Sequence, residues 1–173
     1  MSSGIINYHG HRIHYTSSLP YTIEGKTCTV KGQKYTVTLL PKKGNKGEVA
    51  FKKAKNSRKV IVPSTIKLKD GKSYKVTSIK PKAFKGKSIR TVTIGKNVNL
   101  IKSKAFNGSN ATKIILKSKK LRWEDSVKGS LKGSKVKTVQ VKVGWKADNE
   151  DYVEMYKKAF TKINAGKKVK VKS

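Results

Sequence analysis

The side chains that could perform acid–base chemistry are few, and their spacing does not suit a reaction. The chain has nine acidic residues in 173. Four of them fall at the start of a predicted helix, where they suit the helix dipole: Asp148, Glu150, Asp151 and Glu154. Glu124 and Asp125 are adjacent, so their side chains point apart and do not suit a cooperating general acid and base. We expect no catalytic carboxylate pair.

The cysteine and histidine side chains do not indicate a reactive site either. Cys28 lies in TCTVKGQKYTV, an alternating strand pattern, and no histidine stands at a catalytic spacing from it. His9, His11 and His14 are of a type that binds zinc, copper or nickel, but they lie near the start of the chain without a scaffold or a fourth ligand. The sequence also contains no phosphate-binding glycine motif. No enzyme activity, cofactor or specific metal site is predicted.

Apolar residues instead recur at a fixed offset, which defines the elements of the fold. VTSIKPKAFKG, which begins at Val76, is repeated with its apolar positions in register as VNLIKSKAFNG, which begins at Val98. A third copy follows at a slightly longer offset, so that Phe106 corresponds to Leu131. A period of about 20 to 30 residues with one short strand per unit predicts a solenoid, because no unit buries its apolar edge alone.

Two insertions interrupt the period. The residues added before the third copy fit a loop around LRWEDS, in which we expect Leu121 and Trp123 to point inward. The insertion upstream of the first copy is predicted to form a hairpin. Ile66 and Leu68 alternate with lysines there, and the Asp-Gly pair at 70–71 supplies the turn.

Non-repeating segments are predicted to close both ends of the stack. The runs TCTV, YTVTL and GEVAF predict strands that cover the N-terminal end. A C-terminal helix is predicted to begin with Asp148 or Asn149 as its cap, and Gly166 ends it before a last strand, VKV. Its apolar stripe should face the core as a capping surface: Tyr152, Met155, Tyr156, Ala159, Phe160 and Ile163.

The predicted fold class is mainly β: a short β-solenoid of about 22–25-residue repeats with a β-rich N-terminal segment and a C-terminal capping helix. Residues 1–20 lack the period and are interpreted as a flexible tail or a leader left from expression. Residues 21–173 are interpreted as a single repeat domain, with an N-terminal β segment (21–58), repeats (59–141) and a cap (142–173).

The motif AFKG/AFNG, preceded by an isoleucine and followed by a paired strand such as TVTIG, resembles the BspA-like leucine-rich repeats of bacterial surface proteins. The likeness runs from Val60 to Val141, and the ending KKVKVKS resembles the close of family members from Gram-positive bacteria. The resemblance implies a curved solenoid, α/β by the convention of that family, in a secreted or wall-attached protein associated with adhesion. The chain departs from the family in its few leucines and in Ser130-Leu131, which replaces Ala-Phe.

The location predicted from the resemblance is extracellular or in the cell wall. The sequence has no apolar stretch of about 18 residues that would span a membrane. It also lacks the charged start and apolar run of a secretory signal. Either the protein stays inside the cell, or the chain is a mature fragment of a longer protein, which is the interpretation that fits the family.

A formal net charge of +33 is the second informative property. Lysine supplies most of it, since the arginines are Arg12, Arg58, Arg90 and Arg122. Specific phosphate or base recognition favours arginine, so the lysine bias indicates diffuse attraction. The charge is either a solvated surface or a surface for polyanions: anionic wall polymers and sulfated glycans outside the cell, nucleic acid inside. Nonspecific nucleic-acid binding at low salt is expected in either case.

Alternation along the paired strands predicts an outward face. Inward residues leave their neighbours outside, and we call these outward residues the ribbon: Lys59, Ile61, Thr91, Thr93, Lys113, Ile115, Thr138 and Gln140. The ribbon is poorer in lysine than the surrounding loops and includes two isoleucines expected to be exposed, which makes it the candidate ligand face. Single exposed apolar residues are normal, so a plain solvated face is the alternative. The predicted partner is a host or bacterial surface protein or glycan, bound by a monomer.

Overall fold

Strands dominate the computed structural model, which describes residues 3–8, 11–16 and 22–173. The strands are β1 (Ser3–Tyr8), β2 (His11–Thr16), β3 (Thr27–Val30), β4 (Gln33–Leu39), β5 (Gly47–Lys53), β6 (Lys59–Val62), β7 (Thr65–Lys67), β8 (Ser73–Ile79), β9 (Thr91–Ile94), β10 (Leu100–Ile101), β11 (Lys113–Leu116), β12 (Thr138–Val141) and β13 (Lys170–Lys172). A 3₁₀ helix covers Glu124–Ser126, and the helices α1 (Lys146–Ala159) and α2 (Lys162–Ala165) lie further along the chain.

Five parallel strands form the main sheet, in the spatial order β13, β12, β11, β9, β6. Strands pair at equivalent positions of the repeat, so that Val60, Val92, Ile114 and Val139 lie side by side. These four side chains point into the core and are at most 1% exposed. The two predicted offsets, and with them the solenoid, are confirmed.

A second sheet lies along the N-terminal and middle parts of the chain, in the order β10, β8, β5, β4, β3. β5, β8 and β10 run parallel, whereas β3, β4 and β5 form an antiparallel meander. The strands predicted from TCTV, YTVTL and GEVAF are therefore confirmed. The inserted hairpin is also confirmed, because β7 pairs antiparallel with β8 and places Ile66 beside Tyr74.

Aromatic rings stack through the core along the solenoid axis. The ring centroids of Phe84 and Phe106 are 4.4 Å apart with an interplanar angle of 26°, as the repeated Ala-Phe pairs predict. The ladder continues upstream, because Phe51 stacks on Phe84 at 5.3 Å and Tyr35 meets the edge of Phe51 at 5.4 Å. Leu131 occupies the next turn and is fully buried. The stack thus begins in β4 and β5, earlier than the periodic sequence indicated.

The Ala-Phe turns are joined by main-chain hydrogen bonds from one unit to the next. Lys82 N donates to Lys104 O at 2.9 Å, Lys104 N to Gly129 O at 2.9 Å, and Gly129 N to Asn164 O at 2.6 Å. Asn164 belongs to α2. The chain therefore leaves the stack after β12, forms α1, and returns to add a last turn that ends in β13.

Helix α1 packs against β12 and β13, but its start differs from the prediction. The helix begins with Trp145 as its N-cap, and Asp148 accepts the Trp145 N–H at 3.3 Å from inside the first turn. Asn149 is also inside the helix, where its Oδ1 accepts the Val143 N–H at 2.7 Å. The prediction of residue 148 or 149 as the cap is wrong because both side chains bond backwards to the preceding loop.

The end of α1 also falls earlier than the apolar stripe indicated. Tyr156 and Phe160 are buried as predicted, but Ile163 is 92% exposed. Ile163 is exposed because α1 ends at Ala159 and a second helix begins. Thr161 caps this second helix, α2, by accepting the Asn164 N–H at 3.1 Å. Gly166 ends α2 with a left-handed φ of 81°, and the predicted last strand follows as β13.

Two segments outside the repeats differ from expectation. The segment 1–20 contains, in its described part, an antiparallel hairpin of β1 and β2 with Ser3 beside Thr16, which the missing repeat pattern did not indicate; whether this segment is a leader stays a prediction. In the LRWEDS loop Leu121 is buried as expected, but Trp123 is 76% exposed. The prediction for Trp123 is wrong because its carbonyl starts the 3₁₀ helix by accepting from Ser126 N, a turn that leaves the indole outside.

Candidate ligand-binding surface

Most carboxylates in the described part of the chain have local structural partners. Glu124 and Asp125 lie at the exposed start of the 3₁₀ helix, where Asp125 pairs with Lys128 at 4.0 Å. In α1, Asp148 accepts the Trp145 N–H, Glu150 pairs with Lys146 and Glu154 pairs with Lys157. These contacts give structural roles to Asp125, Asp148, Glu150 and Glu154.

One carboxylate holds a buried hydroxyl. Tyr74 is fully buried, and its hydroxyl donates to Asp70 Oδ2 at 2.6 Å. Burial, together with this hydrogen bond, raises the pKa of Tyr74 to about 12. For Asp70, burial raises the pKa, but hydrogen bonds from Tyr74 and Lys72 N outweigh it and lower the net pKa. This pair fastens the turn of the inserted hairpin.

Neither cysteine nor histidine builds a site in the described structure. Cys28 is a free, half-buried thiol on β3 that packs against the core, as its strand pattern indicated. His9 lies outside the described residues, and so do the side chains of His11 and His14. Within the residues that are described, no group of three or more histidine, cysteine or acidic side chains is placed to hold a metal ion.

All residues of the ribbon lie on one face of the main sheet. Strand register arranges them in two rows that cross β6, β9, β11 and β12. One row is Lys59, Thr91, Lys113 and Thr138, and the other is Ile61, Thr93, Ile115 and Gln140. Because neighbouring strands lie about 4.8 Å apart, each row extends roughly 14 Å across these four strands.

Exposure differs between the two isoleucines of the ribbon. Ile61 lies on the edge strand β6 and is 61% exposed. Ile115 was predicted to be exposed, but it is half-buried, because Thr93 and Gln140 flank it on the neighbouring strands. The ribbon therefore offers its main apolar contact at one end of the sheet. That a ligand docks here stays a prediction.

Both ends of the ribbon include residues that the repeat pattern did not identify. β13 extends the rows with Lys170 and Lys172, which lie beside Thr138 and Gln140 and are exposed. The alternation in KKVKVKS was the available signal for these two lysines. At the other end, Gln33 Nε2 donates to the Ile61 carbonyl at 3.0 Å, a contact between distant segments for which the sequence held no signal.

A row of lysines follows the second sheet. Lys52, Lys80 and Lys102 come directly after paired residues of β5, β8 and β10. Burial, with repulsion from Lys52 and Lys102, lowers the pKa of Lys80. Lys52 Nζ donates to Thr27 Oγ1 at 3.0 Å, so one of the three is held in place. This arrangement concentrates positive charge on a flank separate from the ribbon.

Stacked turns with one short parallel strand per unit, a shared apolar core and an outward strand face define a leucine-rich-repeat solenoid. A model of the BspA type leucine-rich repeat region matches residues 47–141 in six copies. The chain belongs to this family. The matched region begins in β5, which agrees with the upstream extension of the aromatic ladder and lies upstream of Val60, where the resemblance had become clear from sequence.

Comparison with solved structures gives a likeness to the crystal structure of the pneumococcal vaccine antigen PcpA. The identity is 21% and the TM-score 0.45, over 69% of this chain and 30% of the antigen's chain. The chain thus spans less than a third of that structure. No curated protein matches the sequence. Helices in the described part of the chain are all too short or too polar to cross a membrane.

Proposed function

We propose that this chain is a noncatalytic binding module of the bacterial cell surface or cell wall, which docks a protein or glycan ligand across the ribbon. The single observation that carries the proposal is the ribbon itself: two rows of side chains in strand register on a rigid sheet. Residues on regular strands are held more precisely than residues on loops. Membership in the BspA-type family supports a role in adhesion.

The composition of the ribbon favours contact with a ligand that is not simply a polyanion. Ile61 places an apolar side chain at 61% exposure at one end of its row. The threonine hydroxyls of the ribbon, and the Gln140 amide at the other end of that row, both donate and accept hydrogen bonds. No ribbon residue belongs to an ion pair of the described chain, because the pairs are Lys119–Asp148, Asp125–Lys128, Lys146–Glu150 and Glu154–Lys157. An extended partner surface can therefore approach it without displacing an ion pair.

The test replaces Ile61 and Ile115 together by lysine. Two added charges on the ribbon should abolish binding to whichever host-matrix protein or wall glycan the parent binds in a solid-phase panel, while the melting temperature stays unchanged. The matched control replaces Leu39 and Ile163, exposed by 41% and 92% elsewhere, by lysine and should bind as the parent does. A folded Ile61→Lys, Ile115→Lys variant that keeps full affinity removes the ribbon as the site.

A second candidate function is polyanion binding through the lysine surface. The specific observation in its favour is the row of Lys52, Lys80 and Lys102, in which burial and the crowding of like charges lower the pKa of the central amine. A bound polyanion would relieve that repulsion. The formal net charge of +33 extends the attraction over the rest of the molecule.

A further inference from the structure

The first strand of the main sheet has an open edge. β6 pairs with β9 on one side and, among the described strands, with none on the other. Arg58 O accepts from Thr91 N at 3.1 Å on the β9 side, whereas Ile61 O points to the opposite side, where Gln33 Nε2 reaches it. Because alternate residues of a parallel strand bond to alternate sides, the main-chain groups of Lys59 and Ile61 face the open edge.

A cleft of about 490 Å³ runs along this edge. Its walls are β6, β7 and the tip of the β3–β4 hairpin, which contributes Gln33 and Tyr35. The volume lies within the range of about 300 to 1,000 Å³ that is typical of ligand sites. The edge is therefore recessed between two walls rather than covered by them, and an extended segment of chain has room to lie against it.

Gln33 lines the cleft and contacts the β6 edge through the Ile61 carbonyl. The residue is 6% exposed, and its Nε2 also lies 3.2 Å from the Tyr35 hydroxyl. Its Oε1 is buried without a hydrogen-bond partner among the described residues. An unsatisfied buried acceptor costs free energy, and Gln33 carries that cost next to the β6 edge.

The charge of the cleft selects its occupant. Among the residues that the structure describes, the charged side chains that line the cleft are all lysines: Lys31, Lys55, Lys59 and Lys67. A second copy of the chain would bring another formal charge of +33 to this lysine-lined edge, which disfavours self-association. A polyanion without main-chain groups would leave the strand edge unpaired. The features match an acidic partner in extended conformation.

We propose that the β6 edge is a strand-addition site for an acidic, extended peptide segment of a partner protein. The segment pairs through main-chain hydrogen bonds with Lys59 and Ile61, and its carboxylates face Lys55 and Lys67 on the walls. The site is the edge of the sheet and not the ribbon face, although the side chains of Lys59 and Ile61 belong to both. The proposal stands whether or not a ligand also docks across the ribbon.

Synthetic peptides separate strand addition from charge attraction. The probe is a capped heptapeptide, acetyl-EVEVTVE-amide, measured by isothermal titration calorimetry at about 150 mM salt, where the Debye length is about 8 Å. Two further peptides carry N-methyl groups at the odd or at the even residues. Only alternate N–H groups of an added strand face its neighbour, so one methylated peptide should bind like the parent and the other should lose affinity by about tenfold or more.

Protein variants locate the site. Lys55→Glu with Lys67→Glu should weaken the parent peptide by about tenfold or more, because close charge pairs at the cleft become repulsive. The matched control, Lys120→Glu with Lys158→Glu, changes the net charge equally at exposed positions near α1 and should have a much smaller effect. Ile115→Lys, on the ribbon away from the edge, should leave peptide affinity unchanged.

Other outcomes overturn the proposal. Equal binding of all three peptides, equal weakening by both charge-reversed pairs, or no binding of the unmethylated peptide each exclude strand addition by an acidic segment. A concentration-dependent increase in mass of the protein alone, abolished by the Lys55→Glu and Lys67→Glu pair, would assign the edge to a second copy instead.

Discussion

Single glycines decide how closely the main chains of successive units can approach each other. A Cβ at Gly95 would lie 2.7 Å from the carbonyl carbon of Pro63 and from the nitrogen of Ser64. These neighbours are main-chain atoms of the preceding unit and cannot rotate away. At Gly86 a Cβ would meet only Ile89, with Cδ1 at 3.6 Å, an ordinary contact. The two glycines therefore have different roles, although both lie in the repeats.

Substitution by alanine should separate the two glycines. We expect Gly95→Ala to lower the free energy of unfolding by roughly 1 to 3 kcal/mol through overpacking. Gly86→Ala should lie within about 1 kcal/mol of the parent, because its site has room. Chemical denaturation of both variants measures the difference. Equal stability of the two would mean that the turns of Pro63 and Gly95 do not touch.

The recurrence of glycine at 86, 108 and 133 indicates a turn role from the sequence alone, and Gly95 lies outside that recurrence. Gly108 and Gly133 recur with the repeat and have φ values of 72° and 70°, so a turn role follows from their spacing. Gly95 has no such recurrence, because its counterparts after β11 and β12 are Lys117 and Lys142. Its function depends on Pro63, a neighbour in the preceding unit that no local pattern announces.

The elements are held together by the aromatic ladder rather than by loops. Phe51, Phe84 and Phe106 are fully buried and stacked in succession. Each ring lies in a different unit, so the ladder ties the second sheet to the Ala-Phe turns. Removal of one ring leaves a cavity between two units, because neighbouring turns cannot collapse without breaking their main-chain bonds.

Phe106→Ala should lower the free energy of unfolding by about 3 to 5 kcal/mol, the usual cost of truncating a buried phenylalanine. Trp123→Ala is the matched control, because that indole is 76% exposed, and it should change stability by no more than about 0.5 kcal/mol. Thermal melts of both variants give the comparison. An unchanged melt of Phe106→Ala would contradict the stacking of the repeats.

Elements with a local pattern were predicted, but both ends of the C-terminal helix were placed wrongly. The inserted hairpin follows from alternation around Asp70-Gly71, and the paired strands follow from their offsets. The predicted start of α1 was wrong because Asn149 is a residue type that commonly caps helices. In the structure its side chain instead accepts the Val143 N–H of the preceding loop. Ile163 was predicted to be buried because the apolar stripe in the sequence continues past Thr161, where the helix breaks.

The positive charge of the molecule is spread over surfaces that differ in their structure. The ribbon is defined by strand register and the cleft by the β3–β4 hairpin beside β6, whereas the row of Lys52, Lys80 and Lys102 adds to a general positive field. The register made the ribbon predictable from sequence. The cleft was not predictable, since Gln33 and Ile61 are brought together by the non-repeating β3–β4 hairpin.

Polyanion binding should be diffuse if the whole surface is responsible. Affinities for heparin, teichoic acid and duplex DNA should then be comparable and should fall similarly with salt. Replacing Lys52, Lys80 and Lys102 by glutamine should weaken binding as much as replacing Lys120, Lys158 and Lys168, which lie elsewhere on the surface. Isothermal titration across a salt series measures this.

A strong preference for one polymer that persists near 0.5 M salt, where the Debye length is roughly 4 Å, would contradict diffuse attraction. Loss of binding confined to the Lys52, Lys80 and Lys102 variant would likewise indicate a specific site on the second sheet.

The chain forms α1 before it adds the last turn of the stack, and this order affects how the molecule unfolds. In a stack of turns each unit contacts mainly its neighbours, so unfolding can begin at an end and stop there. The last turn is closed by the short strand β13 and by two main-chain bonds, Gly129 N to Asn164 O and Leu131 N to Ala165 O. Amide protons there should exchange with solvent before those of β9 and β11, and the turn can fray and reform while the aromatic ladder stays intact.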